Sequence, residues 1–383
     1  MVELGNLIAA PYATMLLADL GARVIKVEPV DGDLARRFGP FQNGESLFFM
    51  VVNRGKESVA IDTADWVSKR VLDNLVRKAD VVVSNLRHGA MERLGLGDER
   101  CRELNPTLTY ASVNAFGANG PYATRAGVDV IFQGESGMIS ITGDPRDGPR
   151  KTATTIGDYL AGTNAALAVS AALAESPRRW HRIDISLRDG LMAVQSGWNA
   201  LAHAGHAQPE RTGTASPFLT PNQVFEASDR PFTLAIVSDR HFELFADALD
   251  RPDLISDFPT NEARTQNRQS LVRKLDRVFR TREAEHWITL FEQIGLPVGR
   301  VLTIPEAFDD PQARHHGMLV EYEHPTAGHV RSTGSPIRYD DRQAITADLS
   351  PVLGQHTVAI LKEMGVDEAS IGKLVSAGKA VAG

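Results

Sequence analysis

Residues 66–83 read WVSKRVLDNLVRKADVVV, where an amphipathic segment leads directly into an apolar one. In the first part, 66–78, Trp, Val and Leu side chains recur three and four positions apart, which is the spacing of one helix face. The last part, 80–83, is almost wholly apolar and rich in valine, as is typical of a strand buried on both faces. The stretch therefore predicts a helix that delivers the chain into a buried strand.

The same alternation extends to both sides of this stretch. A helical stripe of Ala and Leu precedes it at 13–20, and a long alanine-rich helix is predicted at 158–175. Further strands are predicted at 23–27, 56–61, 107–113 and 181–185. Short strands that alternate with amphipathic helices indicate an α/β fold around a parallel sheet, whose ligands bind at the carboxyl ends of the strands.

A change in composition marks the middle of the chain. Residues 205–222 are rich in Gly, Pro, Ser and Thr, which predicts a linker that ends the first domain at residue 204. Beyond it, hairpin-like strands and then helices predict a smaller α+β domain at 223–310. Its helices are expected at 241–249, 268–279 and 284–294. Strands return at 318–324 and 328–333, so that 311–383 is compatible with a return to the first domain.

The net charge and the cysteine content limit which partners and which cellular compartment are expected. The net charge of −7 argues against nucleic acid as a partner, because such binding needs clustered basic residues. Cys101 is the single cysteine, which excludes an intrachain disulfide and favours a reducing compartment, so that we expect a cytoplasmic protein. No basic start leads into an apolar run, and no stretch of about 18 apolar residues occurs, so neither a signal peptide nor a membrane span is expected.

Common cofactor and metal motifs do not occur in this chain. No Gly-x-Gly-x-x-Gly follows a predicted strand, and there is neither a Walker A lysine nor a Gly-x-Ser-x-Gly elbow. An NAD-dependent enzyme is therefore disfavoured, and the pattern predicts no bound cofactor. No cluster of metal ligands stands out either, since the adjacent histidines at 315 and 316 would diverge on a helix.

Asp158 is the residue that admits two interpretations. It follows Gly157 and opens the predicted helix at 158–175, where an Asp is usually an N-cap that accepts a backbone N–H. The positive end of the same helix would also keep its carboxylate ionised, and an ionised carboxylate is a competent nucleophile. Gly157 and Gly162 would let a bulky ligand approach the backbone. The local pattern favours the cap and leaves the nucleophile open.

Short segments along nearly the whole chain carry a resemblance to a known family. They include residues 10–22 (APYATMLLADLGA), 24–28 (VIKVE), 53–56 (NRGK), 91–96 (MERLGL), 127–129 (GVD), 221–225 (PNQVF), 310–314 (DPQAR) and 334–338 (GSPIR). Through them the chain resembles the class III CoA-transferases, a group of acyl-CoA transferases and acyl-CoA racemases that includes formyl-CoA transferase. The resemblance implies a Rossmann-like large domain built from the N- and C-terminal parts, with the smaller domain inserted between them. It also implies an interlocked homodimer.

The resemblance also implies a chemistry and a site. It places the family's catalytic aspartate at Asp158, whose carboxylate would attack an acyl-CoA and exchange its acid through a mixed anhydride and an enzyme-bound CoA thioester. Coenzyme A is then part of the substrates, which are an acyl-CoA and a carboxylic acid, and no separate cofactor is implied. The implied CoA contacts are Ile8, Ala9, Asn85, Leu86, Arg87 and Arg93, with Arg125 as a weaker candidate.

Two alternatives remain beside the transferase. An acyl-CoA racemase or epimerase shares the fold, but it needs two opposed acid–base groups. Racemases of the family carry a histidine where this chain has Val128, which cannot hold a proton, so the transferase is preferred. The other alternative is a non-catalytic acyl-CoA-binding protein of the same fold, against which the retention of Asp158 speaks.

Overall fold

The computed structural model describes residues 1–204, 209–346 and 348–383. The first four residues of the predicted linker, 205–208, thus lie outside the described residues. The chain separates into two compact units. The larger unit comprises Met1–Met138, Thr152–Ala200 and Pro311–Gly383, and the smaller unit comprises Ile139–Lys151 and Leu201–Asp310.

The elements are numbered in chain order. The strands are β1 Val2–Leu4, β2 Val24–Glu28, β3 Phe41–Gln42, β4 Glu45–Ser46, β5 Lys56–Ile61, β6 Val81–Ser84, β7 Thr109–Asn114, β8 His181–Ser186, β9 Asn222–Glu226, β10 Pro231–Ala235, β11 Val298–Arg300, β12 Leu319–His324, β13 Gly328–Thr333, β14 Arg338–Tyr339, β15 Arg342–Gln343 and β16 Ala380–Val381. The helices are α1 Ala9–Asp19, α2 Leu47–Met50, α3 Trp66–Lys78, α4 Ala90–Arg93, α5 Asp98–Leu104, α6 Asp129–Glu135, α7 Met138–Ile141, α8 Ile156–Ala174, α9 Leu187–Ala193, α10 Ser196–His203, α11 Asp239–Ala248, α12 Pro252–Asp257, α13 Asn261–Gln266, α14 Arg268–Phe279, α15 Ala284–Gln293, α16 Ile304–Asp309, α17 Pro311–His315, α18 Thr357–Glu363 and α19 Glu368–Ser376.

A seven-stranded sheet forms the centre of the larger unit, in the order β16-β5-β2-β1-β6-β7-β8. All neighbours pair in parallel except β16, which runs antiparallel to β5. From β1 the chain adds β2 and β5 on one side and β6, β7 and β8 on the other. The direction of winding therefore reverses between β1 and β6, and such a switch point is where ligands of open α/β sheets bind. The predicted mixed α/β fold with a mostly parallel sheet is confirmed.

Helices cover both faces of this sheet. Helices α3, α5, α18 and α19 bury apolar side chains against one face, and α1, α8 and α9 bury them against the other. Helix α3 has the predicted bounds because Asp65 caps its start by accepting the N–H of Val67, while Leu72 and Leu75 on its apolar stripe are buried. Each such buried leucine stabilises the fold by about 1.5–3 kcal/mol. No helix in the described ranges is long and apolar enough to cross a membrane.

The smaller unit has its own core. Strands β9, β10 and β11 form an antiparallel sheet in the order β11-β10-β9, and helices α11, α12, α14 and α15 contribute buried side chains to the same core. The core is aromatic: Phe279 contacts Phe225, Phe232 and Trp287 at ring-centroid distances of 5.0, 5.1 and 5.4 Å. Residues 139–151 belong to this unit although they precede α8 in the chain. Nothing in their composition separated them from the first domain.

Candidate active site

Asp158 lies in the first turn of α8 but does not begin it. The helix starts at Ile156 with Thr155 as its N-cap residue, so the predicted start at Asp158 and its predicted role as N-cap are wrong. Thr155 and Asp158 have the Thr-x-x-acid spacing of a capping box, a signal that the local interpretation overlooked. The capping bond from the Thr155 side chain is nevertheless absent. The start of the helix therefore does not use the carboxylate of Asp158 as a capping acceptor.

The carboxylate of Asp158 lies in an environment that disfavours its charge. Among the residues that the structure describes, none donates a hydrogen bond to it or forms an ion pair with it. Burial, together with the negative charge of Asp129, raises the pKa of Asp158 to about 7. The expectation that the helix end would keep it ionised is thus corrected, because partial burial and a neighbouring carboxylate disfavour the charged form and no cation of the described residues offsets them. A strongly shifted pKa of this kind is typical of reactive carboxylates.

Asp129 fixes the start of α8 from a neighbouring helix. It is 5% exposed, and its Oδ1 accepts the N–H of Gly157 at 2.8 Å while its Oδ2 accepts Nε2 of Gln133 at 2.5 Å. Gln133 in turn accepts the N–H of Thr152 through Oε1 at 2.9 Å. No functional role was expected for these side chains from the sequence. Their signal was the i, i+4 spacing of Asp129 and Gln133, which places both on one face of α6.

Gly157 and Gly162 face protein atoms. A Cβ on Gly157 would lie 2.8 Å from Oδ1 of Asp129, and a Cβ on Gly162 would lie 2.7 Å from the carbonyl oxygen of Ala9. Both distances are shorter than any real carbon contact. The expectation that these glycines admit a ligand is therefore replaced by a packing role: Gly162, one turn after Asp158, lets α8 cross the start of α1 closely.

Residues 5–11, here named the entry segment, connect β1 to the first turn of α1. The segment is tied to the end of β6 across the switch point by a reciprocal pair of bonds. The N–H of Asn6 donates to Oδ1 of Asn85, and Nδ2 of Asn85 donates to the carbonyl of Asn6, both at 2.8 Å. Four of the predicted CoA contacts thus lie together: Ile8 and Ala9 are buried at the start of α1, and Asn85 and Leu86 directly follow β6.

The three candidate arginines differ in what they contact. Arg87 and Arg93 are exposed after β6, and neither forms an ion pair with any residue of the described ranges. Arg125 instead pairs with Glu135 at 2.5 Å, and its guanidinium lies 4.7 and 4.6 Å from the ring centres of Phe116 and Tyr122. Arg87 and Arg93 are therefore available to phosphate groups, whereas Arg125 is already engaged by protein.

Three further features concern proton transfer, thiol chemistry and metal binding. Val128, the N-cap residue of α6, is 60% exposed and carries no titratable group. Cys101 is buried in α5, where burial raises the pKa of its thiol to about 12, so it is an inert core residue. Within the described ranges, no group of three His, Cys, Asp or Glu side chains is placed to hold a metal ion.

Comparison with known proteins identifies the family. The model of CoA-transferase family III matches residues 1–357. The chain is 35% identical to human succinyl-CoA:glutarate CoA-transferase over 99% of its own length and 88% of the relative's. It is also 35% identical to the acetyl-CoA:oxalate CoA-transferase of Acetobacter aceti, over 96% and 95% of the two chains.

A solved structure gives the same result. The crystal structure of a CAIB/BAIF family protein from Brucella suis superimposes with a TM-score of 0.83 at 33% identity, covering 95% of this chain and 97% of that chain. The predicted family and the predicted enzyme class, a CoA-transferase, are confirmed by these matches. The chain belongs to CoA-transferase family III.

Proposed function

We propose that this chain moves coenzyme A from an acyl-CoA thioester to a carboxylic acid, with Asp158 as the nucleophile. The observation that carries the proposal is a carboxylate in the first turn of α8 that no described residue hydrogen-bonds and whose pKa is raised to about 7. Once ionised, such a group has no bonds to break before it attacks, and a raised pKa accompanies a stronger nucleophile.

The proposed exchange proceeds in balanced steps. The Asp158 carboxylate attacks the thioester carbonyl, the C–S bond breaks, and a mixed anhydride and free CoA thiolate result. The thiolate then attacks the aspartyl carbonyl, releasing the donor acid and leaving a CoA thioester on Asp158. The acceptor acid repeats both steps in reverse and leaves as the new acyl-CoA. Splitting one exchange into such steps is the gain of covalent catalysis.

The surroundings of Asp158 support this role. The bond from Gly157 to Asp129 fixes the first turn of α8, so that the nucleophile is presented from a rigid element. The entry segment packs beside α8 at the switch point of the sheet, and Arg87 and Arg93 follow the adjacent strand. We propose that these parts receive the CoA moiety, with the arginines near its phosphates.

The acceptor is proposed to be a short dicarboxylic acid. Two relatives at 35% identity are named for glutarate and for oxalate, and the first also for succinyl-CoA. Glutarate, oxalate and the succinyl group share a second carboxylate beyond the one that is activated. We therefore infer that this chain also takes an acid with two carboxylates.

The finer architecture is part of the same proposal. We propose a Rossmann-like large domain built from the N- and C-terminal parts of the chain, with the smaller domain inserted between them, in an interlocked homodimer. The larger unit contains both chain ends, which supports this division. Helix α8 is apolar on nearly every face, yet its Leu167 is 69% exposed in the single chain, which supports cover by a second copy. A cytoplasmic location stays a prediction.

An exchange assay tests the proposal. Succinyl-CoA is incubated with labelled glutarate, oxalate or butyrate, and transfer of the label into a CoA thioester is measured. We expect exchange with the dicarboxylates and little with butyrate. Asp158→Asn should lower the rate by at least about 10⁴-fold, as expected for loss of a covalent nucleophile. Glu175→Gln, at the other end of α8 and paired with Arg179, should leave the rate unchanged.

The racemase alternative predicts a different product. Incubating a chiral 2-methylacyl-CoA in deuterium oxide without an acceptor acid would place deuterium at its α-carbon if Asp158 removed that proton. We expect no such incorporation, because Val128 leaves the opposite face without a proton carrier. If the protein incorporated deuterium at the α-carbon but did not exchange CoA between acids, it would be a racemase and not a transferase. If it bound CoA tightly but catalysed neither reaction, it would be an acyl-CoA-binding protein.

A further inference from the structure

Four charged side chains are fully buried under the entry segment. Glu3, Lys26, Asp33 and Lys56 have no exposed side-chain surface. Lys26 lies 2.7 Å from both Glu3 Oε1 and Asp33 Oδ2, and Lys56 lies 2.8 Å from Glu3 Oε2. The two positive and two negative charges balance, and we name these four residues the Glu3 cluster.

Three members of the Glu3 cluster hold the backbone of the entry segment. The bonds run from Lys26 Nζ to the carbonyl of Gly5 at 2.9 Å, from the N–H of Leu7 to Asp33 Oδ1 at 3.1 Å, and from Lys56 Nζ to the carbonyl of Pro11 at 2.8 Å. Together with the two bonds of Asn85 to Asn6, they fix the backbone of residues 5, 6, 7 and 11.

The conformation held in this way is strained. Leu7 has a φ of +63°, in the left-handed region that a branched side chain rarely adopts. Residues in such regions persist where the surroundings over-determine them, and they are found at ligand clamps. The N–H of Leu7 donates a hydrogen bond to Asp33, so the cluster contacts the strained residue directly.

Stability alone does not account for the Glu3 cluster. Burying charges costs free energy, and well-packed apolar side chains of similar volume often stabilise a core as well or better. Apolar side chains could not, however, accept the N–H of Leu7 or donate to the carbonyls of Gly5 and Pro11. What the charges add beyond packing is a defined position for these backbone groups.

We propose that Glu3, Lys26, Asp33 and Lys56 are positioning residues that hold the entry segment in the one shape that receives the CoA moiety of the thioester. The inference rests on the proposed function, because it assumes CoA as the ligand of this segment. The cluster acts through the backbone and does not touch the substrate.

Asp33→Asn tests the proposal, with Asp19→Asn as the matched control. Asp33 accepts the N–H groups of Leu7 and Ala35 through Oδ1 and faces the ammonium of Lys26 through Oδ2, so an amide in either orientation would set its NH2 group against a donor. Asp19 is likewise buried and faces Arg54 and the N–H of Thr346, but it lies at the far end of α1. Both changes cost one buried ion pair, and only the first acts on the entry segment.

Two quantities are measured on the full chain: the Kd of free CoA by calorimetry and the hydrogen exchange of the amides at residues 5–8. We expect Asp33→Asn to raise the Kd about tenfold, which corresponds to one lost hydrogen bond to a charged group, and to speed that exchange. Asp19→Asn should change neither quantity. If Asp33→Asn does not fold, Asp33→Glu replaces it, since it keeps the negative charge beside Lys26 and displaces the oxygen that accepts the N–H of Leu7.

The outcomes separate the two proposals. Equal Kd values in both variants and wild type, or an equal loss in both, would overturn the positioning role. A wild-type chain that binds no CoA would overturn it as well. If wild type binds CoA and Asp33→Asn weakens that binding while no exchange of CoA between acids is detected, the positioning role stands and the proposed transfer reaction fails.

Discussion

Two carboxylates of the larger unit, those of the fully buried Glu3 and the partly buried Asp158, have pKa values shifted in opposite directions. Burial acts to raise the pKa of Glu3, but the adjacent Lys26 and Lys56 outweigh it and lower the pKa to about 2. At Asp158 partial burial is joined by the charge of Asp129, no cation among the described residues offsets them, and the pKa rises to about 7. The partners, and not the depth of burial, decide the difference.

The comparison separates structural from reactive acids. Both carboxylate oxygens of Glu3 have a cation or hydroxyl donor within 2.8 Å. The charge of Glu3 is therefore fully paired, and the carboxylate is unreactive. Asp158 is held by its helix while its carboxylate is left without donors in the described structure. A carboxylate that the fold positions and leaves unsatisfied is free to attack. The same change, carboxylate to amide, should therefore have opposite effects at the two sites.

The largest effect is expected for Glu3→Gln. The amide would leave Lys26 and Lys56 buried with one fewer negative charge, and breaking a buried ion pair costs about 3–5 kcal/mol. Thermal and urea unfolding at pH 7.5 measure this loss. Glu57→Gln is the matched control, because Glu57 pairs with the half-exposed Arg23 and an exposed pair contributes at most about 1 kcal/mol. Equal losses for both variants would contradict the view that burial makes the Glu3 pairs strong.

Asp158→Asn should stabilise the protein at alkaline pH. Its pKa is about 7 when folded and 3.8 ordinarily, so between these values the folded chain holds a proton that the unfolded chain has lost. Stability then falls as pH rises through this window, and at pH 8 the ionised Asp158 costs on the order of 2–4 kcal/mol. The variant avoids that cost. Its thermal midpoint should exceed that of wild type at pH 8 and match it below pH 4.

A variant that is less stable than wild type at pH 8 would show that the Asp158 carboxylate has stabilising partners after all. Glu175→Gln again serves as the control, because the pKa of Glu175 is lowered by Arg179 rather than raised. Its removal should not stabilise the chain at any pH.

The next effect concerns the pH dependence of catalysis. Because Asp158 must be ionised to attack, kcat/KM for the acyl-CoA should rise about tenfold per pH unit below 7 and level off above it. Asp129→Asn removes the neighbouring charge, so the inflection should move about one unit lower. Asp189→Asn, on the exposed side of α9, should leave the inflection in place. A profile that does not move with Asp129→Asn would mean that Asp129 only orients the helix.

The smallest effects are expected at the arginines. Arg87→Met and Arg93→Met should each raise the Kd of CoA about two- to fivefold at low salt, the contribution of one exposed charge pair, with less effect at high salt. Arg125→Met should not change it, because Arg125 is paired with Glu135. Calorimetry at two ionic strengths measures all three. A larger effect of Arg125→Met would indicate that Arg125 contacts CoA.

The parts of the fold that could be predicted are those whose signal is local. Helix α3 at 66–78, helix α14 at 268–279 and strand β13 at 328–333 have the predicted bounds, because periodicity and turn residues lie within each segment. Short segments such as β16 could not be predicted. Ala380 and Val381 pair with Ile61 and Ala60 of β5, so their strand depends on contacts distant in sequence.

The candidate site was predictable in part for the same reason. Asp158 and the Asn85 region came from the family resemblance. The bond from Gly157 to Asp129 joins two helices, and the i, i+4 spacing of Asp129 and Gln133 does not indicate it. The Glu3 cluster, by contrast, is indicated by a local pattern in the sequence. Lys26 and Glu28 alternate with apolar residues in β2, and charges in a parallel strand covered on both faces must be paired. That alternation predicts buried ion pairs, although it does not name the partners.

The most direct test of the central claim is to trap the intermediate on Asp158. Incubation with an acyl-CoA and hydroxylamine should convert the aspartyl anhydride or thioester into a hydroxamate, which peptide mass spectrometry locates. We predict a hydroxamate at Asp158 only, dependent on the acyl-CoA and absent from Asp158→Asn. A wild-type protein that exchanges CoA between acids while Asp158 stays unmodified would contradict the account.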